Sequence, residues 1–272
     1  MVSSEWGVPK VFSKGFDPST VKTYGHHLHF WDFNERKYIK SIDLGDEGLV
    51  PLELRMLHDP DSLHGYVGAA LSSNIFHFWR DAEGEWQTEK VIDVAAVDVE
   101  GWALPSMPGL ITDILISMDD KLLILSNWLH GDVRAYNIED VHAPKLVGQI
   151  WLGGSFPAGG TVKVSSSSQQ PQIPTVKGVK LRGGPQMLQM SLDARRIYVT
   201  NSLFASWDAQ FYPDMVKQGS HMVMLNVDPT DKENILSLDQ DFFVDFGKEP
   251  NGPALAHEIR WPGGDCTSDI WK

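Results

Sequence analysis

The sequence predicts an all-β protein, a β-propeller of four-stranded blades whose ring is incomplete in this chain. Three observations predict it. Residues 109–152 read as four short apolar runs separated by turn signals at Asp119-Asp-Lys121, at His130-Gly-Asp132 and across residues 139–144. A shift of 74 residues brings the core of that unit back. Ser117/Ser191, Asp119/Asp193, Asn127/Asn201 and Leu129/Leu203 are identical, and Lys121/Arg195 keeps the charge. A weaker third copy occupies residues 51–93. Repeats of about 40–45 residues with four strands each are the signature of propeller blades. A β-sandwich with similar hairpins is the competing architecture.

In chain order, residues 1–23 read as an irregular lead-in. Residues 24–45 hold two strand-like runs around the polar Asn34-Glu-Arg36 turn and read as the outer half of a partial blade. A full blade follows at about 51–93. A link with Trp102, Pro105 and Pro108 leads to the blade at 110–152. The first two runs of that blade are apolar almost throughout, as strands buried on both faces should be. The third alternates around Arg134 and Asn137, as a half-exposed strand should. Residues 153–184 break the rhythm with paired glycines, a serine run and prolines, and read as a structureless loop insertion, mobile or functional. The third blade spans 185–246, interrupted near Ser206–Asp214 by one turn or a short helix. Residues 255–272 would supply closing strands. The ring then holds about four blades, or else blades that precede this stretch are missing from it; an open ring exposes unpaired strand edges.

Composition narrows the function classes. The 272 residues are 42% hydrophobic and 22% charged, enough for a sizeable core. A net charge of −13 repels phosphate backbones, which argues against nucleic-acid binding. No apolar run approaches the roughly 20 residues of a membrane span. The start, Met1-Val-Ser-Ser-Glu, shows no secretory signal, and there is one cysteine, Cys266, and no glycosylation sequon. A cytoplasmic, reducing location is the expectation.

Aligning the entries of the inner strands places a polar group at each: Glu53, Asp113, Gln186, and the pair His257 and Glu258. Val or Ile would suit a purely structural strand better there. A ring of these residues about one axis is either a site for a divalent transition metal or a water-filled, hydrogen-bonded channel. His130 either caps backbone groups or faces that channel. His27 and His29 stand two apart on one strand face, with His26 opposite, and either chelate a metal or sit half exposed. His58 reads as a packed turn residue. Cys266 is either a reactive thiol or a small buried hydrophobe. Hydrolase elbows, nucleotide loops, dinucleotide fingerprints and Cys-x-x-Cys pairs are absent from the sequence.

Several phrases together resemble the selenium-binding protein / methanethiol oxidase family. They include Pro51-Leu-Glu-Leu-Arg-Met-Leu-His, Met107-Pro-Gly-Leu-Ile-Thr-Asp-Ile-Leu-Ile-Ser, Ser126-Asn-Trp-Leu-His-Gly-Asp, Phe211-Tyr-Pro-Asp and Leu255-Ala-His-Glu-Ile-Arg-Trp-Pro-Gly-Gly-Asp-Cys. The resemblance spans nearly all of this chain and the C-terminal part of the family. It implies a propeller that oxidises methanethiol with O2 and water to formaldehyde, hydrogen sulfide and hydrogen peroxide. It implies copper held by histidines, of which the Ala-His-Glu one falls on His257. The family's other copper histidines, and its selenium-linked Cys-x-x-Cys, fall in N-terminal stretches that this chain does not contain; His26-His27 stands in a different context. Catalytic roles are expected at His257, Glu258 and Asp113, a channel lining at Glu53, Gln186 and His130, and a thiol or selenium role at Cys266. The alternative is a catalytically inactive truncated propeller acting as a selenium- or thiol-binding or protein-transport scaffold.

Overall fold

The computed structural model describes residues 1–7, 10, 13–165 and 170–259. It is built from antiparallel sheets in chain order. The first has three strands, β1 (Val2–Ser4), β2 (His27–Asp32) and β3 (Lys37–Asp43). The second has β4 (Pro51–Met56), β5 (His64–Ala69), β6 (Asn74–Arg80) and β7 (Trp86–Asp93). The link that follows carries β8 (Val97–Glu100) and β9 (Ser106–Met107). The third sheet has β10 (Ile111–Ile116), β11 (Leu122–Asn127), β12 (Asp132–Asn137) and β13 (Lys145–Trp151). After the short strands β14 (Lys163–Val164), β15 (Thr175–Val176) and β16 (Val179–Lys180) comes the fourth sheet. It has β17 (Leu188–Met190), β18 (Arg196–Thr200), β19 (His221–Val227) and β20 (Leu236–Asp245). Each four-stranded sheet pairs its strands in sequence order, which is how a propeller blade is wound. Inner strand β10 packs beside β4 on one side and β17 on the other. Among the described residues the blades form no closed ring.

Face-to-face packing of neighbouring blades makes the core. Leu115, Ile124 and Val133 of one blade meet Leu188, Ile197 and Val223 of the next. On the other side, Ile114, Leu123 and Leu125 meet Tyr66, Ile75 and Ile92. Both faces of β10 and β11 are therefore covered, and β10 is buried at all six positions. The third strand, β12, is more buried than its alternation implies. Ala135 and Tyr136 point to opposite faces, and both are buried because each face packs into a core shared with a neighbouring blade.

The repeat at residues 117 and 191 is a shared turn. Ser117 Oγ donates to Asp119 Oδ1 (2.7 Å) and accepts from Leu122 N (2.9 Å). Ser191 Oγ does the same with Asp193 Oδ1 (2.5 Å) and Arg196 N (3.0 Å). A residue of each turn, between its first and second strands, sits at positive φ, 57° at Asp120 and 54° at Ala194. Ser117→Ala removes these bonds, and a third from Lys121 N (3.2 Å), from a buried hydroxyl, and an expected loss of about 1 kcal/mol should appear as a lower urea midpoint.

Several sequence expectations need correction. Residues 1–23 are not all irregular: Val2–Ser4 adds a strand, with Ser3 opposite His29. The insertion at 153–184 is not structureless. Its β14 pairs with β8, β15 pairs with β16, Phe156 and Val162 are buried, and the Gln170 amide donates to the carbonyls of Phe156 and Val162. The interruption after β18 is two short helices, Ala205–Phe211 and Pro213–Gln218. Residues 255–259 form no strand, and 260–272, with Cys266, lie outside the described residues.

Candidate functional site

The inner strands bring a chain of polar groups together. Glu53 and Arg55 lie two apart on β4, and Arg55 Nη1 donates to Glu53 Oε2 at 3.0 Å. Arg55 Nη2 lies 3.6 Å from Asp113 Oδ1 on the next blade. Asp113 is fully buried, and its Oδ2 accepts from Leu188 N of the third blade at 2.7 Å. Burial pushes the Asp113 carboxyl well above the usual carboxylate range and Glu53 adds to this; Arg55 and the amides of Leu188 and Ile114 pull the other way. Two carboxyls sharing one guanidinium make a coupled pair that can hold and pass a proton.

The chain of contacts continues around the axis. The Gln186 carbonyl accepts from Ser126 Oγ (2.6 Å) and Thr112 Oγ1 (3.4 Å), while Gln186 N donates to the Thr200 carbonyl (2.8 Å). Thr200 Oγ1 donates to the His257 carbonyl at 2.6 Å. His257 Nδ1 donates to the Ser202 carbonyl at 3.0 Å, a bond that leaves Nε2 with the lone pair. Gln186 is buried, and its Oε1 has no hydrogen-bond partner. Glu258, the next residue along from His257, is exposed.

His130 stands apart from this chain of contacts. It is buried, its Nε2 bonds the Met107 carbonyl at 3.0 Å, and its ring meets Phe156 edge-on. Of the two roles the sequence left open, it caps a backbone group; burial holds its pKa below the usual histidine value. His27 and His29 stack with 6.1 Å between ring centroids, but His29 Nδ1 bonds Ser41 Oγ and His27 Nδ1 bonds Glu5. The three-ligand group here is His26, His27 and Asp43. His58 packs in its turn and bonds Asp120 of the next blade through both its amide and Nδ1 (2.8 Å each).

Beside the polar chain lies an apolar pocket of about 30 Å³. Trp6, Leu52, Leu203 and Phe204 wall it, with Thr112 and Tyr24 as polar members. A water needs about 10–15 Å³ of such space, so the pocket suits a molecule of about two heavy atoms. The Tyr24 hydroxyl is buried there without a hydrogen-bond partner. Phe204 stacks on Trp6 and on His257, both at 5.9 Å, and so joins the pocket to the histidine. Sequence reasoning missed Arg55, although its i+2 spacing from Glu53 put both on one strand face. Tyr24 and Phe204 carried no signal, because one is the first residue of the partial blade and the other lies in the segment between β18 and the first short helix.

Copper asks more of this donor set than it offers. His257 is oriented as metal-bound histidines are, with its Nδ1–H on a backbone carbonyl. It belongs, however, to no group of three or more possible ligands among the described residues, and Arg55 already holds Glu53 and Asp113. One imidazole does not fit copper by itself.

The chain is 58% identical over its full length to a methanethiol oxidase of Xenopus tropicalis and 54% identical to selenium-binding protein 2 of Arabidopsis thaliana. It spans 58% of the length of the first and 56% of the second. A solved structure of a hypothetical selenium-binding protein from Sulfolobus tokodaii superposes on all of the chain with a TM-score of 0.82 at 39% identity, the match covering 57% of that structure. The family model of the 56 kDa selenium-binding protein matches residues 1–272, and the chain belongs to that family.

Proposed function

We propose that this chain takes part in the oxidation of a small thiol, methanethiol, by O2. One molecule each of methanethiol, O2 and water gives one each of formaldehyde, hydrogen sulfide and hydrogen peroxide. The observation that carries the reading is the 30 Å³ apolar pocket, whose lining residues Leu52 and Thr112 immediately precede Glu53 and Asp113 in the chain. Relatives more than half identical over the whole chain and named methanethiol oxidase support it. The pocket takes the methyl group and excludes water. The unpartnered Tyr24 hydroxyl donates a hydrogen bond to the sulfur. Asp113 and Glu53 receive the thiol proton and return it to a product, with Arg55 holding their geometry. His257 Nε2 would offer one nitrogen to the copper that the resemblance implies, but His257 belongs to no group of three possible ligands among the described residues. A cytosolic setting suits a chain with one cysteine. No helix among the described residues is long and apolar enough to cross a membrane.

The test supplies the purified chain with copper, methanethiol and air and measures hydrogen sulfide and hydrogen peroxide. Equal release of both supports the reading, and release of neither overturns it. Tyr24→Phe should raise the thiol KM by roughly 5–10-fold, the worth of one neutral hydrogen bond. The same change should not lower stability, because it removes a buried hydroxyl that has no partner.

A second reading, selenium binding, is favoured by relatives named selenium-binding protein. The one thiol for it is Cys266. Selenium retained equally by Cys266→Ser would remove this reading.

A further inference from the structure

On the outer half of the first full blade, imidazoles gather around one carboxylate. His77 on β6 is fully buried and stands opposite Glu89 on β7. Its Nδ1 lies 3.1 Å from Glu89 Oε1, and its Nε2 lies 2.8 Å from Nδ1 of His64 on β5. His142 arrives from the next blade, on the link between β12 and β13, and its Nδ1 bonds the same Glu89 oxygen. Two imidazole nitrogens from different blades thus converge on one carboxylate oxygen, and the three atoms lie within 4.8 Å of one another.

The rings are held in place. Trp79 stacks on His77 at 4.8 Å and meets His142 edge-on at 5.1 Å. The Tyr66 hydroxyl donates to the Val141 carbonyl at 3.0 Å, which anchors the link that carries His142. Burial pushes His77 down to about 4, against the pull of Glu89, so its ring is neutral at pH 7 and has a lone pair to offer. When Nδ1 gives that lone pair to an ion, Nε2–H donates to His64, and this fixes the tautomer as second-shell partners of metal-bound histidines do. Two imidazoles, one carboxylate and an open fourth position form a recurrent zinc ligand set.

We propose that His77, Glu89 and His142 bind a zinc-class divalent ion that ties the first full blade to the second, with His64 orienting His77. The other histidine group is a poorer site. The side chains of His26, His27 and Asp43 are 35%, 33% and 59% exposed, and Glu5 already engages His27. It serves as the control.

The full chain is titrated with Co2+ alone, read by visible absorption, and with Zn2+ alone, read by calorimetry and thermal melting. Expected are one ion per chain, intense tetrahedral cobalt bands, and a melting temperature that climbs with zinc concentration. Glu89→Gln and His142→Asn change side chains that are 37% and 49% exposed, so both variants should fold. Each should weaken zinc binding at least about tenfold. The paired change His26→Asn and Asp43→Asn should leave binding unchanged. Unaltered zinc affinity in His142→Asn, or loss of binding only in the His26/Asp43 variant, overturns the proposal. None of these measurements involves thiol oxidation, so the outcome is independent of the proposed activity.

Discussion

Gly184→Ala is expected to cost roughly 4 kcal/mol, at the severe end for a single methyl group. A Cβ at Gly184 would lie 1.8 Å from the Trp128 carbonyl oxygen and 3.0 Å from the Tyr212 hydroxyl. Neither neighbour can retreat. Trp128 is fully buried, and its carbonyl accepts from that same hydroxyl at 2.6 Å. The glycine cannot move away either. Asn201 Nδ2 holds the Arg182 carbonyl at 2.6 Å, and Gly154 N holds the Gly183 carbonyl at 2.8 Å. This backbone seam joins the turn after β11, the end of β13 and the entry to β17, two residues before Gln186. Displacing it would loosen the entry to inner strand β17, whose Leu188 N–H donates to Asp113. Gly159→Ala separates the two kinds of glycine effect. Gly159 sits at φ 79° with nothing within 4 Å of a Cβ, so only backbone strain of about 1–2 kcal/mol is expected. Urea midpoints of the two variants should therefore differ by more than their error; equal midpoints would remove the close-contact explanation.

Parts of the molecule were readable because they are local. The Ser-x-Asp turn needs only neighbouring side chains, so Ser117 and Ser191 announce it twice. Asp113 was legible because a carboxylate inside Ile-Thr-Asp-Ile-Leu has no purpose in a buried strand unless something answers it. What answers it is Leu188 N, 75 residues away, and no local pattern names that partner. The insertion was misread for a related reason. Its glycines, serines and prolines look structureless, yet Phe156 and Val162 pack into a core made by other segments. The His77, Glu89 and His142 group is assembled from two blades across 12 and 53 residues, and each member alone reads as an ordinary strand or turn residue.

At Asp113, charge and hydrogen bonding are expected to come apart. Asp113→Asn keeps an acceptor for Leu188 N–H but cannot ionise. The native carboxyl is raised by burial first and by Glu53 second, above its unfolded value of about 3.9. A raised acid contributes its stability in full below the unfolded pKa and loses it as pH rises through the folded one. The stability of the native chain relative to Asp113→Asn should therefore be greatest in acid, fall from about pH 4 upward, and level off once Asp113 ionises in the fold. A difference that stays flat with pH would rule out the raised carboxyl. Asp113→Ala also removes the acceptor. It leaves Leu188 N–H buried and unpaired, which should cost roughly 1–3 kcal/mol more at every pH. If the carboxyl pair moves the thiol proton, thiol oxidation should fall about 100-fold or more in Asp113→Asn and Asp113→Ala alike. Glu53→Gln should lose a comparable factor with little change in stability, because the Glu53 side chain is 29% exposed. Full activity in Glu53→Gln and Asp113→Asn together would leave the pair a structural clamp between blades, with the proton handled elsewhere.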